Sequence, residues 1–167
     1  MATKTDFTAE EWTVLRDAPQ MVSVAVATAG GSGIFGSLKE ALAPAGAIVE
    51  ALKGDNQLLR AVCDREEAKT AFDSIKGLVK SGTDFDTIKA TLRQAAIDKA
   101  RTAVSILKQK STPEDVKAYQ DFLLNLGNRV ANAAKEGSFL GFGGERVSEP
   151  ERSLLAELTQ SLGIQQG

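Results

Sequence analysis

Between Ala18 and Leu38 the chain runs without one ionisable side chain, and from Ala18 to Val49 the only charges are Lys39 and Glu40. A stretch so poor in charge has to leave water, so the rest of the chain is constrained to enclose it. The remainder suits that task. Its acids and bases alternate with apolar residues at helical spacing, and 167 residues suffice to bury one core of ordinary size. The reading is a single helical-bundle domain over 1–167.

Composition removes several function classes. Twenty basic and 22 acidic residues give a formal charge of −2 and are interleaved along the chain. No basic stripe is present to neutralise phosphates, so no nucleic-acid partner is expected. Histidine is absent, which excludes histidine-dependent hydrolase triads, Glu-x-x-His di-iron bundles and His-zinc hydrolases. Any enzyme would be left with carboxylate, lysine or tyrosine chemistry, so catalysis is the less favoured class and no cofactor is expected. Cys63 is the only cysteine, which fits a reducing cytoplasm. The opening Met1-Ala2-Thr3-Lys4-Thr5-Asp6 lacks the basic and then apolar order of a secretory signal. Gln20, Ser23, Thr28 and a run of glycines dilute the uncharged stretch too far for a bilayer span, so membrane insertion is not expected.

Helix start and stop signals divide the chain into about six or seven helices. Thr8 and Glu11 form a capping box with Phe7 placed to staple onto Trp12, so a helix opens at Ala9. Pro19 predicts a kink or break ten residues later. Val22, Val24 and Val26 alternate as a strand would, although their alanine neighbours favour helix. Gly30-Gly31-Ser32-Gly33 breaks the chain before a helix from Phe35 to Leu52, bent at Pro44 and stopped at Gly54. There Ala43, Ala45, Gly46 and Ala47 would admit close neighbours.

Asp55 is placed to cap a short helix through Val62, and Asp64 with Glu67 another through Val79; a single merged helix is the alternative. From Thr83 or Asp84, a stripe of Phe85, Ile88, Leu92, Ala96, Ala100, Ala103 and Leu107 marks the longest amphipathic helix. Thr112-Pro113 opens another, with Val116, Tyr119, Leu123, Leu126, Val130 and Ala133 along one face. Ser148 and Glu151 box the last, which carries Leu154, Leu155, Leu158 and Leu162 and stops at Gly163. Short connections favour antiparallel neighbours, giving an all-α antiparallel bundle. An echo of helix, Gly-Phe turn and helix, once around Gly31 to Gly36 and again around Gly137 to Gly143, is consistent with a duplicated helical hairpin.

Two kinds of candidate site stand out. Gly137-Ser138-Phe139-Leu140-Gly141-Phe142-Gly143-Gly144 sets two aromatics and a leucine among flexible residues. It reads either as a plug on the bundle end or, through Phe139, Leu140 and Phe142, as a partner-binding tip. It is no phosphate cradle, because no Lys-Ser/Thr follows the glycines. The acidic clusters at Glu10-Glu11, Asp64 with Glu66-Glu67, Asp84 with Asp86, Glu114-Asp115 and Glu149 with Glu151 all fall in first turns, where carboxylates cap helices. Two of them meeting at one bundle end would offer oxygen ligands to a hard cation, but the sequence designates no metal ligands. Cys63 reads as a small buried residue; a reactive thiolate would need Arg60 or Arg65 beside it.

The segments Phe7-Thr8-Ala9-Glu10-Glu11-Trp12 and Phe139 to Glu149 resemble those of small uncharacterised bacterial all-helical proteins, and the resemblance spans most of the chain. It implies a bacterial cytosolic bundle and no activity. A more distant resemblance is to helical proteins of tellurite resistance, from which no acidic motif aligns and no residue is carried over. The functional expectation is a non-enzymatic interaction or regulatory protein, with a protein partner or a second copy as its target. The rival is a metal- or small-ligand-binding bundle working through carboxylates. Changing Phe139 and Phe142 together to serine is expected to weaken association while circular dichroism stays helical; loss of folding would assign the loop to the core.

Overall fold

The computed structural model describes residues 1–30, 38–137 and 147–164, with side chains described over 1–30, 44–133 and 147–164. Among the described residues, a 3-10 turn at Lys4–Asp6 is followed by seven helices: α1 (Ala9–Ala29), α2 (Leu38–Lys53), α3 (Gln57–Val62), α4 (Arg65–Lys76), α5 (Phe85–Lys110), α6 (Pro113–Gly137) and α7 (Glu149–Ser161). The chain is an all-α bundle, with no strand among the described residues. The alternating valines of the uncharged stretch therefore lie on a helix.

The first part of the uncharged stretch forms the axis of the bundle. α1 packs against α4, α5, α6 and α7, and from Ala18 to Ala29 only Gln20 and Val24 are not fully buried. Its buried hydroxyls need no distant partners. Ser23 donates to the Pro19 carbonyl at 3.0 Å, and Thr28 donates to the Val24 and Ala25 carbonyls at 3.0 Å each. This back-bonding lets polar side chains occupy an apolar interior. Residues 31–37, which include the glycine break and the expected start of the next helix at Phe35, lie outside the described residues.

Pro19 does not interrupt α1, which runs unbroken across it. A proline inside a helix removes the amide that would bond the carbonyl four residues back, here that of Leu15. Tyr119 of α6 supplies the missing donor: its hydroxyl gives a 2.8 Å hydrogen bond to that carbonyl, and both residues are wholly buried. Beside it Asp17, 1% exposed, accepts from Arg16 Nε at 2.8 Å and faces Lys99 Nζ at 3.5 Å. The weak point of the helix is thereby tied to α5 and α6.

Most helix starts obey their sequence signals. Thr8 and Glu11 form the capping box, Phe7 and Trp12 meet with tilted rings whose centroids lie 6.1 Å apart, and Ser148 and Glu151 form another box. Asp64 and Asp84 cap α4 and α5. Two expectations are corrected, and the open choice between one helix and two is decided. Asn56, one residue after Asp55, caps α3 through its side-chain oxygen on the Leu59 amide, a role for which asparagine is as well suited as aspartate. α4 stops at Gly77 rather than running through Val79, and α3 and α4 stay separate because Asp64, extended at ψ 143°, starts the second afresh. Gly163 at φ +73° takes the left-handed conformation after α7, as its residue type predicts.

The Tyr119 bond generates a test. Tyr119→Phe is expected to lower stability by about 1–3 kcal/mol, because it leaves the Leu15 carbonyl buried and unpaired. Pro19→Ala restores an amide to that carbonyl, so the tyrosine change should cost less in its presence. Denaturant melts of the four combinations check this, and strictly additive effects would refute the account.

Candidate functional site

Phe139, Leu140 and Phe142 lie outside the described residues, as do the Gly-Phe segments of the internal echo. The acidic clusters serve mainly to cap. Glu11 accepts from the Thr8 amide and from Lys110 Nζ at 2.6 Å, and the lysine bond with that amide holds its carboxyl below the usual range. Asp84 is lowered in the same way by the side chain and amide of Thr87. Glu67 pairs with Lys4 instead of returning a bond to its own helix start. Among the described residues, no group of three acidic or sulfur side chains converges.

Asp115 departs from the capping pattern. It sits in the first turn of α6 but is only 1% exposed. Its carboxylate accepts from the Ala2 amide at 2.9 Å and from Asn56 Nδ2 at 3.0 Å. Thr112 takes over the cap, its hydroxyl accepting from the Asp115 amide at 3.2 Å. One carboxylate thus fixes the N-terminal arm, the start of α3 and the start of α6. Glu151 is buried as well: its Oε2 accepts from the amide and hydroxyl of Ser148, while its Oε1 has no hydrogen-bond partner among the described residues and faces the end of α1 at Gly30.

α2 presents two different faces over the residues whose side chains are described. It packs chiefly on α6, with a smaller contact to α3. Its inner face enters a cluster of Ala47, Ala51, Cys63, Phe122 and Leu126 that is separate from the main core. Gly46 lets the Arg129 guanidinium cross close over the helix, where a Cβ would collide with it, to reach Glu50 Oε1 at 2.5 Å. The outer face was expected to be packed and is not. Ala45 is exposed, Val49 is 45% exposed and Leu52 41%. These residues recur at steps of four and three and so form one stripe.

Between the C-terminal half of α2, the start of α3 and α6 lies an open groove of about 460 Å3. Ala51, Leu59 and Phe122 supply apolar surface, Glu50, Asp55 and Asp121 supply carboxylates, and no basic residue lines it among the described residues. A smaller groove of about 360 Å3 between α6 and α7 is lined by Leu124, Leu155, Ile164 and Arg152 among others. No sequence signal located either groove, since each joins residues far apart in the chain.

Cys63 lies buried in the α2 cluster, and burial pushes its thiol from 9.0 up to about 12. It is therefore the small buried residue expected, and a thiol rather than a thiolate near neutrality. No helix among the described residues is long and apolar enough to cross a membrane. No protein family, curated protein or solved structure matches the chain.

The thiol predicts an alkaline response. Its folded pKa exceeds its unfolded value, so the unfolded state loses the proton first, and stability should fall as pH rises from about 9 towards about 12. Tyr119, raised chiefly by its burial, adds a loss of the same sign at higher pH. Cys63→Ala should flatten the first part of this decline in denaturant melts, and an unchanged pH slope would contradict the assignment. The native thiol should also resist alkylation at pH 8 until the protein is unfolded.

Proposed function

We propose that this chain is a non-enzymatic interaction module that works by burying the outer face of α2 against another helix, with a second copy of itself as the partner. The observation that carries the reading is the exposed stripe of Ala45, Val49 and Leu52 on a helix whose neighbours among the described residues, α6 and α3, meet its other face. A helix with apolar residues on opposite faces is at home when both faces are covered. Two copies related by a two-fold axis need only one such face, because the same patch serves both partners. Ala45 leaves room for Leu52 of a second copy, and the four-and-three spacing suits antiparallel packing. The Phe139, Leu140 and Phe142 string belongs to the same proposal on sequence grounds. So does a cytosolic setting, where a lone reduced thiol is ordinary.

Val49→Ser with Leu52→Ser tests the reading. Both side chains are substantially exposed, so helical content should be preserved while sedimentation equilibrium shows a shift from dimer to monomer. A wild-type protein that stays monomeric across the accessible concentration range would overturn self-pairing. The rival, a carboxylate-based ligand-binding bundle, would instead show a rise in melting temperature with one divalent cation or metabolite.

A further inference from the structure

The groove on the other side of α2 has a chemistry of its own. It is independent of the self-pairing face: Ala47, Glu50, Ala51 and Gly54 line the groove, while Ala45, Val49 and Leu52 form the outer stripe. Three carboxylates border it, and the two amides that join them, Asn56 and Asn125, are neutral. Behind Asn56 stands the buried carboxylate of Asp115, bonded to it at 3.0 Å, which adds a further negative charge to that end. The floor is apolar and includes Phe122, which is 5% exposed.

The basic side chains nearby sit outside this lining. Arg129 holds Glu50 and Lys117 holds Asp121, each at 2.5 Å. Glu50 and Asp121 keep 62% and 57% of their side-chain surface in solvent, so these are exposed pairs that exchange partners at little cost. Asp55 is exposed and accepts no hydrogen bond or ion pair among the described residues. A volume of about 460 Å3 falls on the scale of sites that take a few side chains or one small ligand. An acidic rim over an apolar floor is complementary to an apolar anchor flanked by positive charge.

We propose that this groove receives a basic amphipathic peptide segment of a partner protein, its apolar side chain set on Phe122 and Leu59 and its lysine or arginine beside Asp55 and Asp121. The direct probe is a pair of synthetic helical peptides, identical except that the lysines flanking a central leucine or phenylalanine in one are glutamates in the other. Each is titrated into the full chain carrying Val49→Ser and Leu52→Ser, so that self-pairing does not obscure the result. Calorimetry gives affinity, and the side-chain amide resonances of Asn56 and Asn125 report the place of binding.

The lysine peptide should bind saturably, shift both amides and weaken with salt. Asp55→Asn with Asp121→Asn should reduce its affinity about tenfold, as expected for two partly exposed charges. Asp55→Asn alone, which disturbs no hydrogen bond described above, should give part of that loss and serves if the double variant does not fold. Equal binding of the glutamate peptide, no binding of the lysine peptide, unchanged affinity in the aspartate variants, or resonance shifts confined to other surfaces would each overturn the proposal. Binding of a simple alkylammonium in the groove without binding of the peptide would overturn it too, because the site would then serve a small amine.

Discussion

One hydrogen bond reconciles the two demands placed on α1. The helix has to be apolar enough to form the axis of the bundle, yet it carries a proline at its middle, which deprives the Leu15 carbonyl of its normal partner. In a buried helix no water replaces that partner, so the donor must come from the surrounding protein. Tyr119 brings it from α6, a hundred and four residues away. The ring contributes apolar packing and the hydroxyl satisfies the backbone, a combination phenylalanine cannot provide. The position of α6 against the axis follows from this pairing. Asp17 with Arg16 and Lys99 fixes α5 beside the same point.

Local signals carried much of this architecture. Thr8 with Glu11, Asp84 and Ser148 with Glu151 are short-range devices whose donors and acceptors lie within a few residues, so the chain itself displays them. The stripes of α5 and α6 were equally legible, because Leu92, Ala100, Leu107, Leu123 and Val130 all face one core. What depended on tertiary contact was hidden. Pro19 reads as a break, since nothing near it in sequence reveals that Tyr119 repairs the helix. Asp115 reads as a first-turn acid, and its bonds to Ala2 and Asn56 span distances no spacing rule covers. The exposed side of α2 was also unforeseen: low charge shows that a segment avoids water, but not which faces find cover within the same chain.

α2 is therefore anchored differently from its neighbours. α1 is embedded in the main core, whereas α2 sets its own Ala47 and Ala51 against Cys63, Phe122 and Leu126 in a separate cluster. Its ion pair through Arg129 is partly exposed and adds little. The two proposals made for α2 use its outer stripe and its groove.

Asp115 has a consequence for the order in which the molecule assembles. Its bond to the Ala2 amide closes a span of 113 residues, and bringing such distant points together carries a large loss of chain entropy before any reward is gained. Neighbouring helices such as α5 and α6 face no comparable barrier. The carboxylate acquires its full set of donors only once α6, the start of α3 and the arm before α1 have all arrived, which implies that fastening the arm is among the last steps of folding and releasing it among the first of unfolding.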